Sequence, residues 1–154
     1  MFTIESTSWD NVKLFWQKWK NYDISVKTYG LNIKSKVYIN TNIFDYETEK
    51  TFGFYKDGIL LGCGQVKTFD GMIGGVANMC IDPAYRNNGI GTEIMKIMLR
   101  YMHDNEFAIS ILYPSLYSKL IGFYERFGYT DYNKVMIHEI TQKIPDNEIL
   151  DKFI

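Results

Sequence analysis

The spacing of apolar residues changes several times along this chain, and each change marks an element. Phe2 and Ile4 alternate with polar neighbours through Glu5, the two-residue period of a strand. From Trp9 the period lengthens. Trp9, Val12, Phe15, Trp16 and Trp19 recur at helical spacing, which predicts an amphipathic helix from Trp9 to about Lys20 with Ser8 as its cap. The tryptophans form either one packed face or the lining of a ligand pocket. Asn21 to Lys50 carries the weakest pattern, with Lys36 to Asn40 reading as a short strand and Asn40 to Lys50 as a polar loop. Beyond it, Thr51 to Lys56 and Ile59 to Phe69 read as two strands. They are joined by Asp57-Gly58, a dipeptide suited to the left-handed backbone of a tight hairpin. Asp70-Gly71 marks a further turn. Val76 to Ile81 is the next strand and stops at Asp82-Pro83, because proline has no N–H for a ladder.

The second half is more apolar. Ile90, Ile94, Ile97, Met98 and Tyr101 make one helical stripe, and Met95, Leu99 and Met102 make a second beside it. A helix from Ile90 to Met102 that is apolar on most sides should be largely buried. Phe107 to Tyr113 is a continuous apolar run, as in a central strand covered on both faces. Ser115 to Phe127 reads as a helix ended by Gly128, and Lys134 to Ile140 as a last strand. An antiparallel meander followed by strand–helix–strand–helix–strand predicts a mixed α/β sheet with one crossover unit and helices on both faces.

Composition narrows the function. The 154 residues suit one domain spanning 1–154, and a net charge of −1 disfavours a nucleic-acid binder that relies on a broad basic face. Met1-Phe2-Thr3-Ile4-Glu5 has neither the basic start nor the apolar core of a signal peptide, and no run approaches the length of a membrane span. Cys63 and Cys80 lie in predicted strands without C-x-x-C spacing, so neither a metal site nor a disulfide is expected, and a reducing cytoplasm is.

The strongest chemical signal is Arg86-Asn87-Asn88-Gly89-Ile90-Gly91-Thr92, between a predicted strand and a predicted helix. The first N–H groups of a helix lack partners within it, the macrodipole adds positive charge there, and glycine lets the backbone approach a ligand closely. Such a turn attracts phosphate. It lacks the third glycine of the dinucleotide fingerprint and the Gly-Lys-Ser/Thr ending of a P-loop.

The flanking residues are more specific. Met79-Cys80-Ile81-Asp82-Pro83-Ala84-Tyr85 followed by Arg86-Asn87-Asn88-Gly89-Ile90-Gly91 resembles motif A of the GNAT superfamily of N-acetyltransferases, with its Gln/Arg-x-x-Gly-x-Gly/Ala. Phe123-Tyr124-Glu125-Arg126-Phe127-Gly128-Tyr129 resembles the same superfamily's motif B. The resemblance covers about Thr51 to Ile140. It implies a GNAT-like mixed central sheet and an enzyme that moves an acetyl group from acetyl-CoA to a primary amine of a small molecule or peptide. The alternative is a non-catalytic acyl-CoA-binding or sensing module.

By the same resemblance, acetyl-CoA would lie in a V-shaped split between the strands at Val76 to Ile81 and Phe107 to Tyr113. Met79, Cys80 and Ile81 would pair with the pantetheine arm like an added strand. Asn87, Asn88, Gly89, Ile90, Gly91 and Thr92 would hold the pyrophosphate. Arg86 would add charge there or point to solvent, and Ser115 would touch the cofactor arm. The N–H of Ile81 or Cys80 would receive the thioester oxygen, and Tyr124 would act as general acid toward the leaving thiolate, unless Tyr124 simply packs with Phe123 and Phe127. The family's glutamate on the motif A strand has no counterpart in Gly74-Gly75-Val76-Ala77-Asn78. Water relayed through Asn78 or Ser110, or His138, could then accept the amine proton, although His138 also suits a structural place. His103 suits a helix C-terminus as a dipole partner. Asp45, Glu47 and Glu49 are candidates to attract a cationic amine or are a solvated loop face. Many relatives dimerise, so a homodimer is compatible with the resemblance, and no metal is implied.

Overall fold

The computed structural model describes residues 2–27, 47–68, 72–112, 119–132 and 135–140. Strand β1 (Phe2–Thr7) runs antiparallel to β2 (Glu47–Lys56), with helix α1 (Trp9–Lys27) between them in sequence. β2 turns into β3 (Ile59–Thr68) through Asp57 at φ 51 and Gly58 at φ 80, the paired left-handed residues of a two-residue hairpin. β3 pairs antiparallel with β4 (Ile73–Ile81). A 3-10 turn (Pro83–Tyr85) and helix α2 (Ile90–Asp104) then cross over to β5 (Ile109–Leu112), which pairs parallel with β4. Helix α3 (Lys119–Glu125), β6 (Thr130–Asp131) and β7 (Met136–Glu139) complete a sheet of order β1-β2-β3-β4-β5-β7-β6. This is the mixed α/β sheet with an antiparallel first half and a strand–helix–strand crossover that the sequence pattern predicts.

The two faces of the sheet are closed differently. Against one face lies α2, whose Ile90, Ile94, Met95, Met98, Leu99 and Met102 are buried. Its close approach depends on Gly62 and Gly64. A Cβ on Gly62 would stand 2.8 Å from Ile81 Cδ1, and one on Gly64 would stand 2.9 Å from Ile94 Cγ2. On the opposite face α1 lays Val12 on Cys63 and Cys80, with Trp9, Phe15, Trp16 and Trp19 packed around them. The tryptophans are therefore a packed helix face.

Several boundaries differ from expectation, each for a tertiary reason. Helix α1 continues past Lys20 to Lys27, and within the extension Tyr22 stacks edge-on against Trp19 and Asp23 binds Arg86. Glu47 to Lys50, expected as polar loop, belong to β2, because Glu47, Thr48 and Lys50 pair with Thr68, Lys67 and Val66. Ile73-Gly74-Gly75 extends β4 backward, since these residues make the whole ladder to β5. The strand expected from Phe107 to Tyr113 is the shorter Ile109–Leu112, with Phe107 turning the corner through a hydrogen bond from its N–H to the Met102 carbonyl at 2.9 Å. The last strand narrows to Met136–Glu139, and β6 was not foreseen, because two exposed residues carry no period. The expected strand at Lys36 to Asn40, the turn at Asp70-Gly71, Ser115 and Asp45 lie outside the described residues, as do the side chains of Glu47 and Glu49.

Candidate active site

The parallel ladder between β4 and β5 consists of Ile73–Ile109, Gly74–Ser110 and Gly75–Ile111. From Val76 onward β4 has no ladder partner on that side among the described residues. Between the pairs Cys63–Cys80 and Gln65–Ala77, β4 spends one residue more than β3, and Asn78 sits in this bulge at φ 53. A bulge bends and twists its strand, and the β4 edge beyond the ladder, next to the end of β5, is the candidate split. Asparagine tolerates the left-handed backbone better than most residues.

The direction of the freed backbone follows from one hydrogen bond. Asp82 N–H donates to the Leu61 carbonyl at 2.9 Å, so Asp82 faces β3. By the alternation of a strand Cys80 also faces β3, while Ile81 and Met79 face the split. Of the stretch expected to pair with a ligand, Met79 and Ile81 present their N–H groups there, and Cys80 is spent on β3.

Beyond β4 the chain is pinned by polar side chains. The Asp82 carboxylate accepts the Ala84 N–H at 2.9 Å, and Asn88 Nδ2 donates to the carbonyls of Tyr85 and Arg86, both at 3.1 Å. Asn87 at φ 65 and Gly89 at φ 83 then turn the chain into α2. Gly89 caps the helix without a side-chain hydrogen bond, and Glu93 N–H is bonded back to Gly89 at 3.0 Å. The N–H groups of Ile90, Gly91 and Thr92, ahead of that bond, have no acceptor inside the helix. A Cβ placed on Gly89 would meet nothing within 4 Å, so open space lies before this turn. Free donors, the helix dipole and open space together suit an anion.

Arg86, expected to bring charge to that anion or to point to solvent, does neither. Its guanidinium grips the Asp23 carboxylate of α1 with both terminal nitrogens, at 2.7 and 2.9 Å, and its Nε donates to the Ile81 carbonyl at 2.9 Å. Such a forked pair is directional as well as attractive. It fixes the glycine turn to the first helix and occupies the one Ile81 atom that would otherwise accept from a ligand.

Phe123, beside Tyr124 on α3, reaches the same end of the split. A Cβ on Gly91 would lie 3.3 Å from Met79 Cε and 3.5 Å from Phe123 Cζ, so β4, the start of α2 and helix α3 converge there. The Tyr124 ring meets Phe123 at 5.2 Å and Tyr129 at 6.2 Å between centroids, and burial pushes its hydroxyl pKa up to about 12. At neutral pH it holds its proton. The packing expected as the alternative to catalysis is thus real, and the burial that comes with it raises a hydroxyl pKa that already lies above neutral.

Two polar clusters flank the split. In one, Ser110 Oγ and Tyr129 OH share a 2.6 Å hydrogen bond and are buried. His138, opposite Ser110 in the β5–β7 register, lies 5.3 Å from the Tyr129 ring, and burial lowers its pKa although a hydrogen bond to Gly128 opposes the shift. Ser110 and His138, considered for proton transfer, are committed to this support. In the other, Asn78 Nδ2 donates to Gln65 Oε1, and Gln65 Nε2 donates to Thr51 Oγ1 at 2.9 Å. Gln65 and Thr51 had no motif to reveal them; the available signal was a glutamine inside an otherwise buried strand. His103 sits at the end of α2 beside Asp104, as expected of a dipole partner. Among the described residues no group of His, Cys, Asp and Glu could hold a metal, and no helix is long and apolar enough to cross a membrane.

Solved structures with this architecture are numerous. An acetyltransferase from Streptococcus agalactiae matches with a TM-score of 0.67 at 16% identity, over 90% of this chain and 98% of its own. The PaiA N-acetyltransferase of Thermoplasma acidophilum, solved in complex with coenzyme A, matches with a TM-score of 0.66 at 16% identity, over 90% of this chain and 99% of its own. The ribosomal-protein-S18-alanine N-acetyltransferase of Escherichia coli matches with a TM-score of 0.63 at 15% identity, over 94% of this chain and 99% of its own. At these identities the likeness is one of fold. No curated protein sequence matches the chain. The model of the acetyltransferase (GNAT) domain matches residues 47–131, from the start of β2 through α3 to β6. The chain, with its split sheet and its glycine turn at the head of α2, belongs to the GNAT acetyltransferase family.

Proposed function

We propose that this chain is an acetyl-CoA-dependent N-acetyltransferase that acts on a primary amine of a small molecule or peptide by direct attack. The observation that carries this reading is the convergence, at one end of the β4–β5 split, of the unpartnered N–H groups at Ile90 to Thr92, the free β4 edge and helix α3, which carries Tyr124. A diphosphate fits the first, an extended amide-bearing arm fits the second, and a leaving thiolate fits the third.

Bound acetyl-CoA supplies the acetyl group as a thioester. The N–H groups from Asn87 to Thr92 hold the diphosphate, and Met79 and Ile81 offer strand-like donors to the arm. The Ile81 N–H polarises the thioester carbonyl, replacing the expected choice between Ile81 and Cys80. As the amine forms its bond to the acetyl carbon and the C–S bond breaks, the Tyr124 hydroxyl gives its proton to sulfur. The proton shed by the amine passes through water to the Tyr124 phenolate and restores the phenol, so protons balance. Ser115 is proposed to touch the arm, and the whole chain to act as a single domain.

The absence of a carboxylate from Gly74 to Asn78 favours a second reading, a non-catalytic acyl-CoA-binding module. Titration calorimetry with acetyl-CoA and with dephosphorylated pantetheine tests the binding half: tight binding should require the diphosphate. Tyr124→Phe tests the catalytic half. It should lower turnover roughly tenfold or more and leave acetyl-CoA affinity unchanged. An active protein that tolerates the change refutes Tyr124 as the acid, and one that binds acetyl-CoA but acetylates no amine is the second reading.

A further inference from the structure

The sheet face under α1 carries buried polar groups that the proposed reaction does not use. Cys63, Gln65 and Lys67 alternate along β3 and share this face, while Gly64, between them, meets Ile94 and Met98 of α2 on the other. Thr51 stands opposite Gln65 in the β2–β3 register, and Asn78 reaches Gln65 from the bulge. All are buried: Thr51 at 3%, Gln65 at 1%, Lys67 at 6% and Asn78 at 7% exposure.

Their hydrogen bonding is directional and incomplete. Each amide nitrogen donates toward β2, from Asn78 to Gln65 and from Gln65 to Thr51. That leaves the acceptor end of the chain, Asn78 Oδ1, buried with no partner. A buried acceptor left unpaired costs about 1–3 kcal/mol. Lys67 has no hydrogen-bond or ion-pair partner among the described residues, and burial lowers its pKa. Its stem is buried while its ammonium reaches solvent. One face of the sheet thus presents an unpaired acceptor at the bulge and, on Lys67 two β3 residues beyond Gln65, an ammonium with no described partner.

We propose that this face binds the acceptor amine and that the acceptor is an amino acid-like molecule: its amine donates to Asn78 Oδ1 and its carboxylate meets Lys67 Nζ. The pairing rests on the transferase reading above. It gives the unpaired acceptor a donor and the solvent-reaching ammonium an anion, with a ligand of opposite polarity at its two ends, and it places the amine at the bulge, beside the free β4 edge. Gln65 and Thr51 are positioning residues, since Gln65 takes the Asn78 amide N–H and Thr51 takes that of Gln65, which leaves the Asn78 oxygen as the unpaired end. With the amides turned the other way, Asn78 would offer N–H and repel a cationic donor.

The test compares matched pairs of amino acids and their decarboxylated amines, such as lysine with cadaverine and phenylalanine with phenethylamine. Release of coenzyme A from acetyl-CoA is followed, and acetyl-CoA binding is measured separately by calorimetry. The acid of a pair should be the better acceptor by at least roughly tenfold in kcat/KM, the contribution of one charge-assisted bond. Lys67→Met should abolish that preference by raising KM for the acid towards that of its decarboxylated amine. Asn78→Gly, which keeps the left-handed backbone, should lower kcat/KM for both members and leave acetyl-CoA affinity intact. Equal use of acid and amine, a preference for the amine, or a preference that survives Lys67→Met overturns the proposal. So does a protein that binds acetyl-CoA and turns over neither member of any pair. Failure to bind acetyl-CoA at all refutes the transferase reading instead.

Discussion

The two buried polar clusters beside the split are built from similar parts and finished differently. On the α2 side, Ser110 and Tyr129 satisfy each other, and His138 packs against the Tyr129 ring with its own hydrogen bond to Gly128. On the α1 side, Thr51, Gln65 and Asn78 form a chain that ends in an unpaired oxygen, and the Trp16 indole N–H nearby in the same layer is also buried without a partner. A closed cluster rigidifies a core, whereas an open one is a cost that folding alone does not explain. The difference separates scaffold from binding surface without reference to any relative.

The comparison is broken most forcefully from the scaffold side. Gly64→Val should destabilise the protein by about 3 kcal/mol, because the new side chain is driven into Ile94 and Met98 and overpacks α2 against β3. A shift of the urea midpoint without a change in slope would show it. Next comes Ser110→Ala, which leaves the buried Tyr129 hydroxyl unpaired and should cost about 2 kcal/mol. The matching change on the α1 side, Gln65→Leu, strips Asn78 Nδ2 and Thr51 Oγ1 of their partner and should also cost about 2 kcal/mol, but it should in addition raise acceptor KM, which Ser110→Ala should leave unchanged. If Gln65→Leu leaves acceptor KM unchanged, the two clusters are alike and the contrast fails.

A third change probes the link between helix and cofactor turn. Asp23→Asn keeps the shape of the side chain but removes the charge from the forked pair with Arg86. It should cost about 1 kcal/mol and weaken acetyl-CoA binding a few-fold, because the Ile81 carbonyl and the glycine turn lose their anchor. Calorimetry reads the affinity and thermal unfolding reads the stability. Unchanged affinity in a destabilised protein would reduce the pair to a structural role.

The sequence was most legible where local chemistry and global fold agree. Asp57-Gly58 announced its hairpin, Gly89 its helix entry and the apolar stripes of Ile90 to Met102 their burial, because each is dictated within a few residues. The α1 boundary was missed because Asp23 is recruited by Arg86, 63 residues away in sequence. Glu47 to Lys50 read as loop because composition cannot register a ladder contributed by another strand. The site divides the same way. The glycine turn and Tyr124 sit in motifs, but the destination of the Arg86 side chain and the Thr51–Gln65–Asn78 chain are decided by strand register and a single bulge. Neither leaves a period in the sequence.

The smallest effect concerns pH. Burial lowers the His138 pKa below its ordinary value of 6.5, so the folded state binds this proton less readily than the unfolded chain. The unfolded state takes up the proton first as pH falls through 6.5, and stability must then decline down to the folded-state pKa and level off below it. The ring belongs to the closed cluster, so the loss should be modest, and His138→Gln should remove that part of the slope between neutral and mildly acidic pH. The Lys67 shift has the same sign in an alkaline window: its folded pKa lies below 10.5, the unfolded state holds more protons, and stability rises with pH up to 10.5. A carboxylate-bearing acceptor bound at Lys67 would flatten the alkaline slope and leave the His138 slope unchanged. Unfolding curves against pH, with and without the amino acid, therefore report on the two clusters separately.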